Sequence, residues 1–106
     1  MTSRKLFKHT HEGNDNYFFY CPGCKCGHGY EVPRWTFNGN TEKPSFSPSL
    51  LMFHTRLSGE RKTECHLFLT DGKLNYCSDS PHQYAGQTID MVDFPENYDV
   101  PGEAVG

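Results

Sequence analysis

The sequence lacks the features that mark several common classes of protein. It has no hydrophobic run long enough to cross a membrane, and its first residues, MTSRKLFK, lack the apolar stretch of a secretory leader. Lys and Arg total 10 against 13 Asp and Glu, so the net charge is −3 and we expect no nucleic-acid surface. These absences predict a cytoplasmic protein that binds neither membrane nor nucleic acid. They leave its oligomeric state open.

Hydrophobic residues are also scarce, at 35% of 106 residues, whereas 14% are aromatic. A chain of this length forms one domain with a modest core, in which a few large side chains supply much of the burial. Ten Gly and seven Pro indicate many turns and few long helices. We therefore predict one domain over residues 1–106, mostly β or α+β, built of hairpins around one zinc site, with a weakly ordered tail at 96–106. The predicted core is Phe18, Tyr20, Val32, Trp35, Phe37, Phe46, Leu50, Leu67, Leu69, Leu74 and Tyr76.

Cysteine and histidine are concentrated in one short stretch, which contains Cys21, Cys24, Cys26 and His28. Two cysteines separated by Pro-Gly form a tight turn that directs both thiols to one point, and such a turn supplies two positions of a tetrahedral zinc site. The other ligands must come from distant residues, so that metal binding would link separate parts of the fold.

The segment Cys65–Cys77 is predicted to be a β-hairpin, because Asp71-Gly72 fits a two-residue type I′ turn. Counting back from that turn puts His66 opposite Cys77, while Cys65 joins the more apolar face. This favours His66 over Cys65 as a ligand, and Asp79 is a candidate partner for an imidazole N–H. We predict a Zn²⁺ site of Cys21, Cys24, His66 and His82, with Cys77, Cys65, Cys26 and His28 as alternative ligands.

Three other uses of the cysteines are less well supported. A disulfide framework belongs to secreted proteins, and no leader is expected here. A thioredoxin-like motif would be followed by helix-forming sequence, which is not evident after Cys24. A Rieske-type redox centre matches Cys26 and His28 only in its first half, since Cys77 and His82 are separated by four residues rather than two.

In its motifs the chain resembles a small, mostly uncharacterised family of phages, prophages and bacteria, some of whose members carry an "ammonia monooxygenase" label. The resemblance covers about residues 17–90 and departs at Ser80, where the family usually has cysteine. The shared segments are CPGC at 21–24, WTFNG at 35–39, EKPSFSPSLL at 42–51, CH-x-F-x-x-DG at 65–72 and D-x-x-H-x-x-AGQT at 79–88.

Relatives of that family occur in bacterial ubiquitin-like conjugation operons, where a Cys-Glu-His-His pattern implies a metal-dependent hydrolase. Carried over in order, the pattern falls on Cys24 (or Cys21), Glu42, His66 and His82. The resemblance thus implies a peptidase or deconjugase in which zinc activates water and Glu42 is the general base. The alternative is a phage accessory or inhibitor protein, acting in the host cytoplasm, whose zinc is structural and whose function is to bind a host protein. Either function requires a protein substrate or partner.

Overall fold

The structure is a computed structural model that describes residues 3–105, and all of its regular secondary structure in that range is β-strand. The prediction of a small, mostly-β fold is therefore confirmed. The strands are β1 (Phe7–His11), β2 (Asn14–Cys21), β3 (Cys26–Val32), β4 (Thr36–Phe37), β5 (Phe46–Thr55), β6 (Arg61–Thr70), β7 (Lys73–Tyr76), β8 (Thr88–Asp90) and β9 (Glu103–Ala104).

The strands form two antiparallel sheets. The first has the order β3-β2-β1-β9 and the second has the order β4-β5-β6-β7-β8. β9 lies within the segment predicted as a tail and pairs with β1. The inner faces of the sheets meet in a core rich in aromatic rings, where Tyr30 of β3 stacks on Phe46 of β5 with centroids 4.3 Å apart. The core thus lies between the two sheets and joins them.

The side chains that β2 contributes to this core differ from those predicted. Tyr17, Phe19 and Cys21 are buried, whereas Phe18 and Tyr20 are only partly buried. Side chains alternate along a strand, so the burial of Cys21 fixes Phe19 and Tyr17 on the same inner face. The prediction of Phe18 and Tyr20 was wrong because it assigned the opposite parity to the strand.

The hairpin predicted at Cys65–Cys77 is confirmed. Thr70 pairs with Lys73 in the β6–β7 ladder, and both turn residues, Asp71 and Gly72, have positive φ, as a type I′ turn requires. Next to the ladder, the backbone N–H of Cys77 donates to the carbonyl of His66 at 2.8 Å. The segment after Leu50, for which the pattern allowed a strand or a helix, belongs to β5.

Candidate metal centre and catalytic site

Four side chains form a group that could hold a metal ion at the interface of the two sheets. Their ligand atoms all lie within 4.8 Å of one another, and we call them the Cys/His cluster: Cys21, Cys24, Cys65 and His82. Cys21 Sγ lies 3.9 Å from Cys65 Sγ, and Cys65 Sγ lies 3.5 Å from His82 Nε2. Cys21 and Cys65 are fully buried.

The turn between β2 and β3 presents the first two thiols. The backbone N–H of Lys25 donates to the carbonyl of Cys21 at 2.7 Å, and Lys25 adopts a left-handed φ of 58°. Cys21 then pairs with Cys26 at the start of the β2–β3 ladder. The backbone N–H of Cys24 donates to Cys21 Sγ at 3.4 Å. This donor stabilises negative charge on Cys21, as expected at a metal-binding thiolate.

The His82 ring lies directly against the same turn. A Cβ at Gly23 would come within 2.5 Å of two atoms of the imidazole, so only glycine permits this approach. On another side, Tyr76 meets the ring edge-on with centroids 4.6 Å apart, and its hydroxyl lies 3.1 Å from Cys21 Sγ. The ring is therefore held between the turn and the core.

The thiols perturb one another strongly. The hydrogen bond between Cys65 and Cys21 lowers the pKa of Cys21 to about 3. The same bond raises the pKa of Cys65 far above the usual range of a thiol. Burial raises the pKa of Cys24 to about 12. Without a cation the cluster thus favours one thiolate surrounded by protonated thiols, whereas a divalent cation would stabilise all three as thiolates.

The structure brings together three of the four predicted metal ligands, Cys21, Cys24 and His82, and adds Cys65 from the alternative set. His66 instead lies near Cys77 and Asp79, in a second group. The physical reason is that the cluster forms on the apolar face of β6, between the sheets, and alternation sends His66 to the other face.

The remaining candidates lie apart from the cluster. Glu42 is exposed and lines a cleft with Asp71 and Gly72 at the turn of the β6–β7 hairpin. From Cys65 to the end of β6 at Thr70 is five residues, or about 17 Å of strand, so Glu42 is remote from the cluster. Cys26 is partly buried, and His28 is buried with neither ring nitrogen hydrogen-bonded within residues 3–105.

A second arrangement of functional groups lies on the outer face of the larger sheet. His66 Nε2 lies 3.1 Å from Ser49 Oγ, and His66 Nδ1 lies 2.9 Å and 3.2 Å from the two carboxylate oxygens of Asp79. An ionised carboxylate only accepts hydrogen bonds, so Nδ1 carries the proton. In the neutral ring Nε2 is then an acceptor, and the Ser49 hydroxyl donates to it. We call these three residues the Ser-His-Asp group.

Irregular local structure positions these residues. Phe46 pairs with Leu69 but Leu50 pairs with Leu67, so β5 contains a bulge at Ser47–Ser49 that directs Ser49 toward His66. The Trp35 indole N–H donates to the carbonyl of Ser49 at 3.4 Å.

His66 is fixed by the loop that follows β7. The buried Ser80 hydroxyl donates to the carbonyl of His66 at 2.7 Å and accepts from its backbone N–H at 3.0 Å. Ser80 thus holds the part of β6 that carries the imidazole in place through its hydroxyl group.

Asp79 was predicted to be the partner of an imidazole, and its contact with His66 confirms this. Ser49 was not predicted. The available signal was the pair of serines flanking Pro48 beside a strand, since proline within a strand marks a bulge or an edge.

No helix among residues 3–105 is long and apolar enough to cross a membrane.

Comparison with known proteins gives one match. A family model described as bacterial ubiquitination-like system serine protease (BubE) matches residues 1–77, which include Ser49 and His66 and end two positions before Asp79. No curated protein and no solved structure matches the chain. Because the model covers 77 of the 106 residues, the chain belongs to the BubE family.

Proposed function

We propose that the protein is a serine peptidase in which Ser49 is the nucleophile, His66 the general base and Asp79 the residue that orients the imidazole. The observation that supports this is the chain of contacts from Ser49 Oγ through both His66 nitrogens to Asp79. The same order of groups activates serine in unrelated hydrolase folds and is recognised by geometry and roles. The description of the BubE family agrees with this assignment.

The accessibility of the group suits a substrate in solution. The His66 side chain is 25% exposed and the Asp79 side chain 59% exposed, and Ser49 is partly buried. A base that contacts a carboxylate at Nδ1 and the serine hydroxyl at Nε2 is arranged to accept a proton from serine and to deliver it to a leaving group.

In the first half of the reaction Ser49 Oγ attacks the carbonyl carbon of a peptide bond while its proton passes to His66 Nε2. Asp79 stabilises the imidazolium that forms. The tetrahedral intermediate collapses, the C–N bond breaks, and His66 protonates the leaving amine. Water then attacks the Ser49 ester with His66 as base, which releases the carboxylic acid and restores the serine.

We further propose that the Cys/His cluster binds Zn²⁺ as a structural ion. Tetrahedral zinc with Zn–S of about 2.3 Å and Zn–N of about 2.0–2.1 Å places sulfurs about 3.8 Å apart and sulfur and nitrogen about 3.5 Å apart. The corresponding separations are 3.9 Å for Cys21–Cys65 and 3.5 Å for Cys65–His82. Three sulfurs and one imidazole fill a tetrahedral shell, so no position is left for a reactive water.

Such an ion would fasten the segments that carry the Ser-His-Asp group. Cys65 directly precedes His66 along β6, and His82 follows Asp79 and Ser80 on the loop after β7. Holding Cys65 inward fixes His66 outward, and holding His82 limits the movement of Asp79.

The alternative inferred from the family resemblance, zinc-activated water with Glu42 as base, receives less support. It requires an open coordination position and a carboxylate beside the metal. The cluster offers four protein ligands, and Glu42 lies beside the Asp71-Gly72 turn that follows β6, away from the cluster. The binding-module alternative shares the structural zinc but assigns no role to the Ser-His-Asp group.

The experiment is cleavage of unfolded casein by zinc-loaded wild-type protein, Ser49→Ala and the matched control Ser47→Ala, which alters a serine of the same bulge. We expect Ser49→Ala to lose about 10³-fold or more of the activity and Ser47→Ala to change it by less than about threefold. Equal activity in all three proteins would contradict the assignment.

Metal analysis with X-ray absorption tests the zinc, for which we expect one ion with three sulfurs and one nitrogen.

A further inference from the structure

The strand that carries Ser49 has an open edge beside the proposed nucleophile. β4 is only two residues long and pairs with Ser47 and Phe46. β5 continues to Thr55, and past Ser47 no strand within residues 3–105 pairs with it on the β4 side. Beyond Ser49, the backbone of β5 therefore has no partner strand on that side within residues 3–105.

The orientation of the backbone identifies which groups face this edge. The carbonyl of Ser49 points to the β4 side, where it accepts from the Trp35 indole. The backbone N–H and C=O of His66 are both directed away from β5, toward Ser80 Oγ and the N–H of Cys77. Because Leu51 pairs with His66, the N–H and C=O of Leu51 are directed away from β6 and face the open edge. A register shift between Met52 and Phe53 interrupts the strand further on. Leu50–Met52 is thus the regular part of the open edge.

Two features show that this edge is suited to binding. Folded proteins protect free edges with proline, lysine or a covering segment, but residues 50–53 are Leu-Leu-Met-Phe. Apolar side chains also surround the Ser-His-Asp group: Leu51, which is 42% exposed, pairs with His66, and Phe68, which is 41% exposed, lies two residues beyond it on β6. Both the backbone and the side chains beside Ser49 are available to a ligand.

From this geometry we infer that the substrate is an extended, unstructured polypeptide segment that adds to the edge of β5 as a further strand. The inference rests on the proposed peptidase function and specifies its substrate class. One residue of the segment accepts from the N–H of Leu51 and donates to its C=O. This pairing brings a neighbouring peptide bond to Ser49 Oγ, and an apolar substrate side chain contacts Leu51. A folded domain would be cleaved only in a tail or loop long enough to become a strand.

The test uses the intact, zinc-loaded protein and synthetic peptides. Mass spectrometry of casein digests locates the preferred site, and a peptide of that sequence is then N-methylated at one residue at a time. We expect N-methylation at the paired residue to lower kcat/KM by about tenfold or more, the effect of about one lost hydrogen bond. Methylation of the adjacent residues, whose N–H groups point away, should change it by less than about threefold.

Variants of the edge provide a second, independent readout. Leu51→Pro removes the N–H that faces the edge, Leu51→Ala keeps it, and Leu57→Ala changes a fully exposed side chain at the tip of the β5–β6 hairpin. We expect Leu51→Pro to raise KM for the peptide more than Leu51→Ala does, and Leu57→Ala to have no effect. The N-methyl series does not depend on whether Leu51→Pro folds.

Labelling of Ser49 by a fluorophosphonate separates the two proposals, because it requires the Ser-His-Asp group but no peptide pairing. Labelling together with an N-methyl effect confined to one position supports both. Labelling with uniform N-methyl effects overturns the edge inference alone, and absence of labelling overturns both. A dimer in solution that Leu51→Pro dissociates would overturn the edge inference by assigning the edge to a second copy of the chain.

Discussion

Gly23 leaves no room for a larger side chain against the His82 imidazole, so a single added methyl group tests whether that ring binds a metal. In Gly23→Ala the new Cβ would lie 2.5 Å from Cε1 and Nδ1 of the ring and 2.7 Å from Cγ. Gly23 does not have positive φ, so the substitution adds no backbone strain. Its effect therefore comes from the contact between the Cys21–Cys24 turn and the His82 ring.

The size of the effect follows from these distances. Nonbonded carbon atoms settle at about 3.5–4.0 Å, so the ring must withdraw by about 1 Å. Metal–ligand distances tolerate about 0.2 Å, so His82 would no longer bind in its present place. We expect zinc affinity to fall by about 100-fold, which corresponds to about 2.7 kcal/mol of binding free energy. Since zinc bound only by the folded state stabilises it, the zinc-dependent rise in Tm should fall as well.

The assay is competition for zinc against a chelating dye, with thermal unfolding measured in parallel. Gly39→Ala is the matched control, because Gly39 has a φ of 81° and open space around it. It should lower stability by about 1–2 kcal/mol through backbone strain without changing zinc affinity. If Gly23→Ala and Gly39→Ala bound zinc equally, His82 would not be a ligand and the tetrahedral assignment would fail.

Three further predictions concern the Ser-His-Asp group and the cluster. Asp79→Asn should lower kcat by about 10³–10⁴-fold, because the imidazole would lose its orienting carboxylate. The Tm should change little, since Asp79 is exposed. Casein cleavage within tenfold of wild type would contradict the role of Asp79. Glu42→Gln should leave cleavage within about twofold, whereas loss of a general base costs about 10²-fold or more. Zinc binding at pH 7 should release protons, because the pKa of Cys24, about 12, and that of Cys65 lie above their usual value while zinc binds thiolates. Calorimetry in two buffers of different ionisation enthalpy counts those protons, and equal heats of binding in both buffers would contradict proton release. The affinity for zinc should also weaken as pH falls.

Local signals in the sequence were sufficient for the elements whose partners are close along the chain. The Asp71-Gly72 turn fixed the β6–β7 register and put His66 beside Cys77. The Cys21–Cys24 turn identified half of the cluster. In both cases a turn of known geometry determines which side chains share a face, so no tertiary information was needed.

The incorrect predictions concern residues whose placement depends on how the two sheets pack or on a bulge. Alternation correctly assigned Cys65 to the apolar face of β6, but only the packing of one sheet on the other shows that the cluster lies on that face. The same packing buries Cys21, which reverses the predicted parity of β2. Ser49 lies in a bulge, which breaks the alternation from which orientation is predicted, and its partner His66 is 17 residues away.

The most direct test of the Ser-His-Asp mechanism is to treat zinc-loaded protein with a fluorophosphonate and to locate the modified residue by mass spectrometry of its peptides. We expect one adduct, on Ser49, that His66→Ala prevents and Ser47→Ala does not. Folded, zinc-loaded protein that takes up no label, or takes it up equally without His66, would contradict the Ser-His-Asp mechanism.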